Sequence, residues 1–367
     1  MGGRWRMEKS LVDGALRILK ENFGVSAGER VLVLVDEPEG RSVLSVAEAF
    51  LKAANLLGLE AEKVVYPSVG GHGKEPPESV WARVWGDECV SRLKEEGLWE
   101  QIVGKRIDSW EKLVPLFEPY RDRIPQIVVA LPYYSTSHTL FRKLLTGFGA
   151  RYASMPLFEE EMLTGSASVS CFELKPVTER IARLLSEADE VRVRAKGTDL
   201  TLSVAGREGI ADTGCLMEPG SFSNLPAGEA FIAPVEGTAR GVLTVEWAPT
   251  RRLSSPIKVF IEKGRAVGVE GEDPYADFLK DVFEKVENAS NVAELGIGTN
   301  PRARRPDNIL EAEKILGTIH IAFGDNSTFG GCTRANFHQD HVVFSPTVEF
   351  RVGDRWLRIM QSGKLTI

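Results

Sequence analysis

Three of the five histidines in this 367-residue chain fall from position 320 onward: His320, His338 and His341. His338 and Asp340 stand two residues apart in FHQDH (Phe337 to His341), at the start of a run that reads as a strand. Alternation with period two puts both side chains on one face. An imidazole and a carboxylate placed together are ligands suited to zinc, cobalt, manganese or iron. Alone, such a pair is more often a strand-end ion pair.

Its company strengthens the metal reading. His320 lies inside GTIHIAFG, Glu294 inside NVAELGIGTNP, and Glu229 in NLPAGEAFIAP, where a Pro-Gly turn leads an acid into a strand. Glutamate is rarely buried without a partner, because an unpaired carboxylate in an apolar setting is strongly disfavoured. A metal would satisfy all of these side chains at once. Glu229, Glu294, His320, His338 and Asp340 exceed what one tetrahedral zinc with an open position needs. They suit two divalent ions (zinc, cobalt or manganese) about 3.5–4 Å apart, bridged by a carboxylate and a water. That arrangement supports metal-assisted amide hydrolysis, with Glu294 among the catalytic groups. A one-metal site would leave one or both glutamates unexplained.

Other residues carry weaker signals. His341 alternates to the face opposite Asp340, and His72 in GGHGKE reads as a solvated loop residue. His138 in SHT reads equally as a cleft residue or a helix start. Glu311 and Glu313 precede His320 and are candidates for a general base, or for a plain helix face. GIGTNP lacks the lysine and following helix of a phosphate loop. RARRP (Arg302 to Pro306) reads as a solvated turn. Cys89, Cys171, Cys215 and Cys332 are far apart and form no C-x-x-C pair. They are expected as buried small hydrophobes without a disulfide.

The elements that must position these residues follow two rhythms. RVLVLVD (Arg30 to Asp36), EAEKVVYP, QIVVALP and ARYASMP read as buried strands. They alternate with helices over Val43 to Gly58 and over SHTLFRKLLTGFG, and the Val80 to Asp122 stretch is more helical. This predicts an α/β domain with a parallel sheet over residues 1–165. A helix over KPVTERIARLLSEA then leads into a β-rich α+β domain over 166–367. There VRVRAKGTDLTLSVAG and IKVFIEKGRAVGVEG each read as a hairpin around a Gly turn. DPYADFLKDVFEKVENA is a helix capped by Asp273, and VAELGIG, GTIHIAFG, HVVFSPTVEF and RWLRIM are strands. Composition is 43% hydrophobic and 26% charged, with a net charge of −7. An acidic chain does not suit general nucleic-acid binding. No run of ~18 apolar residues suggests a membrane span. The N-terminal stretch lacks the apolar core of a signal peptide, so a cytoplasmic location is expected.

ARYASMP, NLPAGEAFIAP, AELGIGTNP, HIAFG and H-x-D, in this order, resemble the thermophilic aminopeptidase family of dinuclear metallopeptidases. The resemblance runs from about Pro132 to Glu349 and includes SHT with Arg142. It implies a two-domain homodimer whose active site faces an enclosed space. It also implies removal of N-terminal residues from peptides, and Glu229, Glu294, His320, His338 and Asp340 as metal ligands. One departure stands out: the family places a tyrosine seven residues after the HIAFG histidine, and this chain has Ser327 there. Ser327, with Asn326 and Thr328 beside it, becomes the candidate oxyanion donor. The same fold is used by a ring-cleaving 2,5-dihydroxypyridine dioxygenase. That offers a second reading, in which His320, His338 and Asp340 hold one Fe(II). A metal-holding binding module without turnover is a third.

Overall fold

Short runs of Val, Ile, Leu and Ala build the first sheet. In the computed structural model, residues 2–36, 43–107 and 109–367 are described. The chain divides into two units, Met1–Cys171 with Gly214–Pro226, and Phe172–Thr213 with Ala227–Ile367. The first unit holds β1 (Arg30–Asp36), β2 (Glu60–Tyr66), β3 (Ile127–Ala130), β4 (Arg151–Ser154) and β8 (Phe222–Asn224). They lie in the order β2-β1-β3-β4-β8, every pair parallel. Helix Val43–Leu56 carries the chain from β1 to β2, as the apolar spacing predicts. Leu32, Leu34, Val128 and Ala130 pack with Trp81, Trp85, Phe117 and Phe141. The two tryptophans come from the predicted helical stretch, now resolved into short helices that begin at Glu78–Trp85.

Two sequence expectations need correction here. The sequence places Gly214–Pro226 in the second domain, yet in the structure it returns to the first unit. Its β8 extends the parallel sheet, and Leu216 donates its N–H to Asn22 O at 2.7 Å. That excursion also brings Cys215 to Cys171, and the two form a disulfide with Cα atoms 5.3 Å apart. Cysteines 44 residues apart in sequence thus become neighbours through sheet pairing. Cys89 is buried as expected, whereas Cys332 is exposed.

The second unit contains two antiparallel sheets. The larger is built from β5 (Glu190–Ala195), β6 (Thr198–Ser203), β10 (Arg240–Ala248), β11 (Arg251–Glu262), β12 (Arg265–Glu270), β16 (Thr347–Val352), β17 (Arg355–Gln361) and β18 (Lys364–Leu365). Their order is β12-β11-β10-β6-β5-β16-β17-β18, with both predicted hairpins, β5–β6 and β11–β12, in place. The smaller is built from β7 (Ile210–Asp212), β9 (Glu229–Ile232), β13 (Val292–Gly298), β14 (Thr318–Gly324) and β15 (His338–Phe344), in the order β15-β14-β13-β9-β7. One core joins them: Val191, Val193, Leu243 and Ile257 of the larger sheet meet Ile232, Leu295, Ile297, Ile319 and Ile321 of the smaller. HVVFSPTVEF, read as one run, is divided at Ser345–Pro346, so β15 and β16 lie in different sheets. Proline has no N–H to give a ladder and marks the break. Helix Pro274–Lys285 starts at Asp273, whose carboxylate accepts from Tyr275 N at 2.9 Å. Among the described residues no helix is long and apolar enough to cross a membrane.

One buried acid of the first unit yields a test. Glu75 accepts from Leu140 N at 2.6 Å and from Phe141 N at 3.1 Å, at the start of helix Leu140–Gly147. Burial nevertheless pushes its carboxyl from 4.5 to about 7. Between those values the folded chain binds a proton that the unfolded chain has released, so Glu75's contribution to stability falls as pH rises through this window. The fall amounts to about 3 kcal/mol. Urea unfolding of wild type and Glu75→Gln from pH 4.5 to pH 8 is expected to show the difference shifting towards the variant as pH rises. A difference independent of pH would refute the assignment.

Candidate metal centre

Strand register explains how the acids and imidazoles of distant segments meet. Residues directly opposite in an antiparallel ladder point to the same face. On the smaller sheet His320 pairs with Gly296, Ala322 with both Glu294 and Asp340, Gly324 with His338, and Glu229 with Gly298. Each of these side chains therefore has a glycine or an alanine opposite it on one neighbouring strand, while on the other His320 faces Val342 and Glu229 faces Asp212. The alternate residues, Leu295, Ile297, Ile319, Ile321 and Phe323, point into the core. At Gly296 the requirement is steric: a Cβ there would lie 2.0 Å from His320 Cε1. The small residues make the floor on which the polar groups stand.

The five predicted side chains converge. His320 Nε2 lies 3.2 Å from Glu294 Oε1, 3.5 Å from Glu229 Oε2 and 3.9 Å from Asp340 Oδ1. His338 Nε2 lies 3.5 Å from Glu294 Oε2 and 3.7 Å from Asp340 Oδ1. Glu294, His320 and Asp340 each offer a ligand atom within 4.8 Å of the others, a group able to hold a metal ion. His338 approaches the same two carboxylates from the rim, its side chain 28% exposed. Its Nδ1 donates to Asp325 O at 2.7 Å. A carbonyl only accepts, so Nδ1 carries a proton and Nε2 is the nitrogen that faces the cluster, where a metal ion would take its lone pair. This is the usual anchoring of a metal-binding histidine.

Electrostatics also favour a cation. Burial alone would lower the His320 pKa, but Glu294, Glu229 and Asp340 outweigh it and raise it to about 9. His338 is likewise raised above its ordinary value, burial being overcome by Asp340 and Glu294. Against their own burial, the imidazoles hold Glu294 and Asp340 below the usual carboxylate values. Glu229 Oε2 and Asp340 Oδ1 are buried without a hydrogen-bond partner among the described residues. Oriented imidazoles, buried oxygens without partners and a carboxylate field that attracts protons all fit a divalent ion.

Sequence reasoning missed one member of the cluster. Lys314, wholly buried, places Nζ 2.6 Å from Glu229 Oε1 and 2.7 Å from Glu313 Oε2. Its ammonium is favoured despite burial because Glu229, Glu313 and Asp212 surround it. Burial pushes the Glu313 carboxyl up to about 8. In sequence EAEKILG looks like an exposed helix face, and only the unexplained acid of GEAFI hinted at a buried cation. Glu229 thus has a protein partner, and the argument that a single metal would leave it unexplained no longer holds.

The remaining candidates lie elsewhere. Ser327 is exposed and donates its hydroxyl to Asp325 Oδ1 at 3.0 Å in a turn, outside the convergent group. His341 is buried and hydrogen-bonded to Tyr275 at 3.0 Å, with burial lowering its pKa to about 4. Glu311 is buried and accepts from Arg304 N. His72 is exposed and accepts from Ser135 N at 3.1 Å.

The sheet geometry predicts the effect of a single methyl. Gly296→Ala drives a Cβ into the His320 ring, and overpacking of this kind costs about 1–3 kcal/mol. The expected outcome is a lower denaturation midpoint together with weaker binding of cobalt(II) in calorimetric titration. Unchanged metal affinity in the variant would mean that His320 is not held where the metal binds.

Comparison with known proteins separates the two enzyme readings. Residues 159–353, just over half of the chain, match the family described as NicX: 2,5-dihydroxypyridine 5,6-dioxygenase. The 2,5-dihydroxypyridine 5,6-dioxygenase of Pseudomonas putida is 26% identical over 174 residues, covering 43% of this chain. The matched region spans about half of that relative's length, 49%. In structure, the 2,5-dihydroxypyridine dioxygenase of Pseudomonas putida KT2440 superposes with a TM-score of 0.71 at 18% identity, over 98% of this chain and 97% of the other. AmpT from Thermus thermophilus gives 0.64 at 16%, over 98% and 99%. Both share the two-domain architecture expected from the sequence, so likeness to an aminopeptidase T extends to the fold. The expected hydrolase and peptidase activity is corrected, because the family match and the curated relative both name a dioxygenase. The chain belongs to the 2,5-dihydroxypyridine 5,6-dioxygenase family.

Proposed function

We propose that this chain is an iron-dependent dioxygenase that opens a dihydroxylated pyridine ring, with one ferrous ion held by His320, His338 and Asp340. The observation that carries the reading is the approach of both Nε2 atoms to the Asp340 carboxylate, the two-histidine, one-carboxylate set of non-haem iron oxygenases. Bound there, ferrous iron would supply the activation of dioxygen that amino-acid side chains cannot provide. Family membership supports the same reaction class.

The chain's own residues supply position and shape. Asp325 fixes the His338 ring through Nδ1, and Gly296 leaves the space in which His320 turns towards the cluster. Glu294 lies beside both imidazoles and restrains their orientation. Glu313 Oε2, 2.7 Å from the Lys314 ammonium, ties that cation to the cluster. The partly exposed edge of His338 is the side from which substrate enters. Phe329 stands edge-on to that ring at 5.8 Å between centroids and at 5.7 Å to Phe231. It offers an apolar flank for a planar aromatic substrate.

Anaerobic reconstitution with ferrous iron, followed by oxygen-electrode assay with 2,5-dihydroxypyridine, tests the reading. One iron per chain is expected, with oxygen uptake matching loss of the ring's ultraviolet absorbance. His338→Ala and Asp340→Ala should each lower turnover by more than about 100-fold, beyond what loss of a supporting contact gives. Iron bound without oxygen uptake on any dihydroxypyridine would sink the dioxygenase and leave a metal-holding module.

A further inference from the structure

Four carboxylates (Glu229, Glu294, Glu313 and Asp340) are gathered around His320 and Lys314, all of them buried or largely so. Asp212, paired with Glu229 across β7 and β9, adds to the same field. Such a concentration of negative charge needs compensation by cations held inside the protein. One divalent ion at His320, His338 and Asp340 supplies part of it. Lys314 is the permanent cation on the other side. Glu229 connects the two: its Oε1 lies 2.6 Å from the ammonium, while its Oε2 lies 3.5 Å from His320 Nε2 and has no hydrogen-bond partner among the described residues.

We infer that Lys314 stands where a second metal ion would otherwise bind, and that its ammonium limits this centre to a single ion. The inference rests on the one-iron reading above. The geometry is that of a cation site: oxygens of two different carboxylates approach one buried nitrogen at 2.6 and 2.7 Å, with a third acid beyond. Removing the ammonium leaves two carboxylates directed at one enclosed point. A divalent ion with carboxylate oxygens at about 2.0–2.2 Å, completed by water, can occupy that point. Glu229 would then bridge the two ions as it now bridges ammonium and imidazole. Lys314 is thus a positioning residue that acts through Glu229.

The test is metal stoichiometry, which a merely structural lysine would not change. Wild type, Lys314→Arg and Lys314→Met are titrated with cobalt(II) and zinc(II) and examined by native mass spectrometry. Wild type and Lys314→Arg should take one equivalent. Lys314→Met should take two, with its melting temperature rising on metal addition more than that of wild type. Two equivalents on the wild type would sink the one-ion reading itself, and this inference with it. One equivalent on both wild type and a folded Lys314→Met would overturn the role of Lys314 and leave the one-ion reading standing. Should Lys314→Met not fold alone, it is refolded with and without excess zinc. Soluble protein carrying two equivalents supports the inference, and failure to fold even with zinc overturns it.

Discussion

The buried negative charge of the smaller sheet is the constraint on which the rest of the centre depends. Isolated carboxylates at such depth would take up protons or prevent folding. Here Glu229 and Glu313 share the Lys314 ammonium, while Glu294 and Asp340 share two imidazoles. Two of the four carboxylates are therefore compensated by a fixed lysine, and two by imidazoles whose charge is exchangeable. An imidazole can lose its proton to make way for a metal ion, whereas a lysine held between two carboxylates keeps its charge. The exchangeable half reaches the surface through the partly exposed ring of His338, and the fixed half is sealed.

The sheet makes this concentration of charge possible by what it omits. Gly296, Gly298, Ala322 and Gly324 sit across the ladder from His320, Glu229, Glu294 with Asp340, and His338. Small residues are poor strand formers because they offer little side chain to pack. Their cost is offset on the opposite face, where Leu295, Ile297, Ile319 and Ile321 are buried against the larger sheet. Each such side chain contributes about 1.5–3 kcal/mol when fully removed from water. One face of each strand stabilises the fold, and the other carries the polar cluster.

That division also decides what could be read in advance. The parallel first sheet, the two hairpins and the Asp273 cap follow local rules, so they were legible. The convergence of Glu229, Glu294, His320, His338 and Asp340 was legible too, because acids and imidazoles inside apolar runs are locally anomalous. Lys314 was not, since EAEKILG satisfies the pattern of an ordinary exposed helix and its burial depends on tertiary packing. Without it, the five side chains read as ligands for two ions, and a two-ion centre reads as hydrolysis, the activity that the family match corrects. The Cys171–Cys215 bond escaped for a related reason: nothing local says that β8 leaves the surrounding β-rich unit to join the parallel sheet.

Fold likeness could not have repaired that error. The dioxygenase and the aminopeptidase T superpose on this chain over nearly its whole length, with TM-scores of 0.71 and 0.64 at identities below 20%. A scaffold shared so evenly does not select a chemistry. Selection has to come from the count of positive charges that the cluster accepts and from how many of them the protein supplies itself. A centre that supplies a fixed ammonium of its own has less need of metal. An oxygen-activating iron site gains from the same economy of charge, since open positions matter more to it than a second ion. On this argument, the Lys314 ammonium beside Glu229 is what would separate a one-ion from a two-ion centre on this fold.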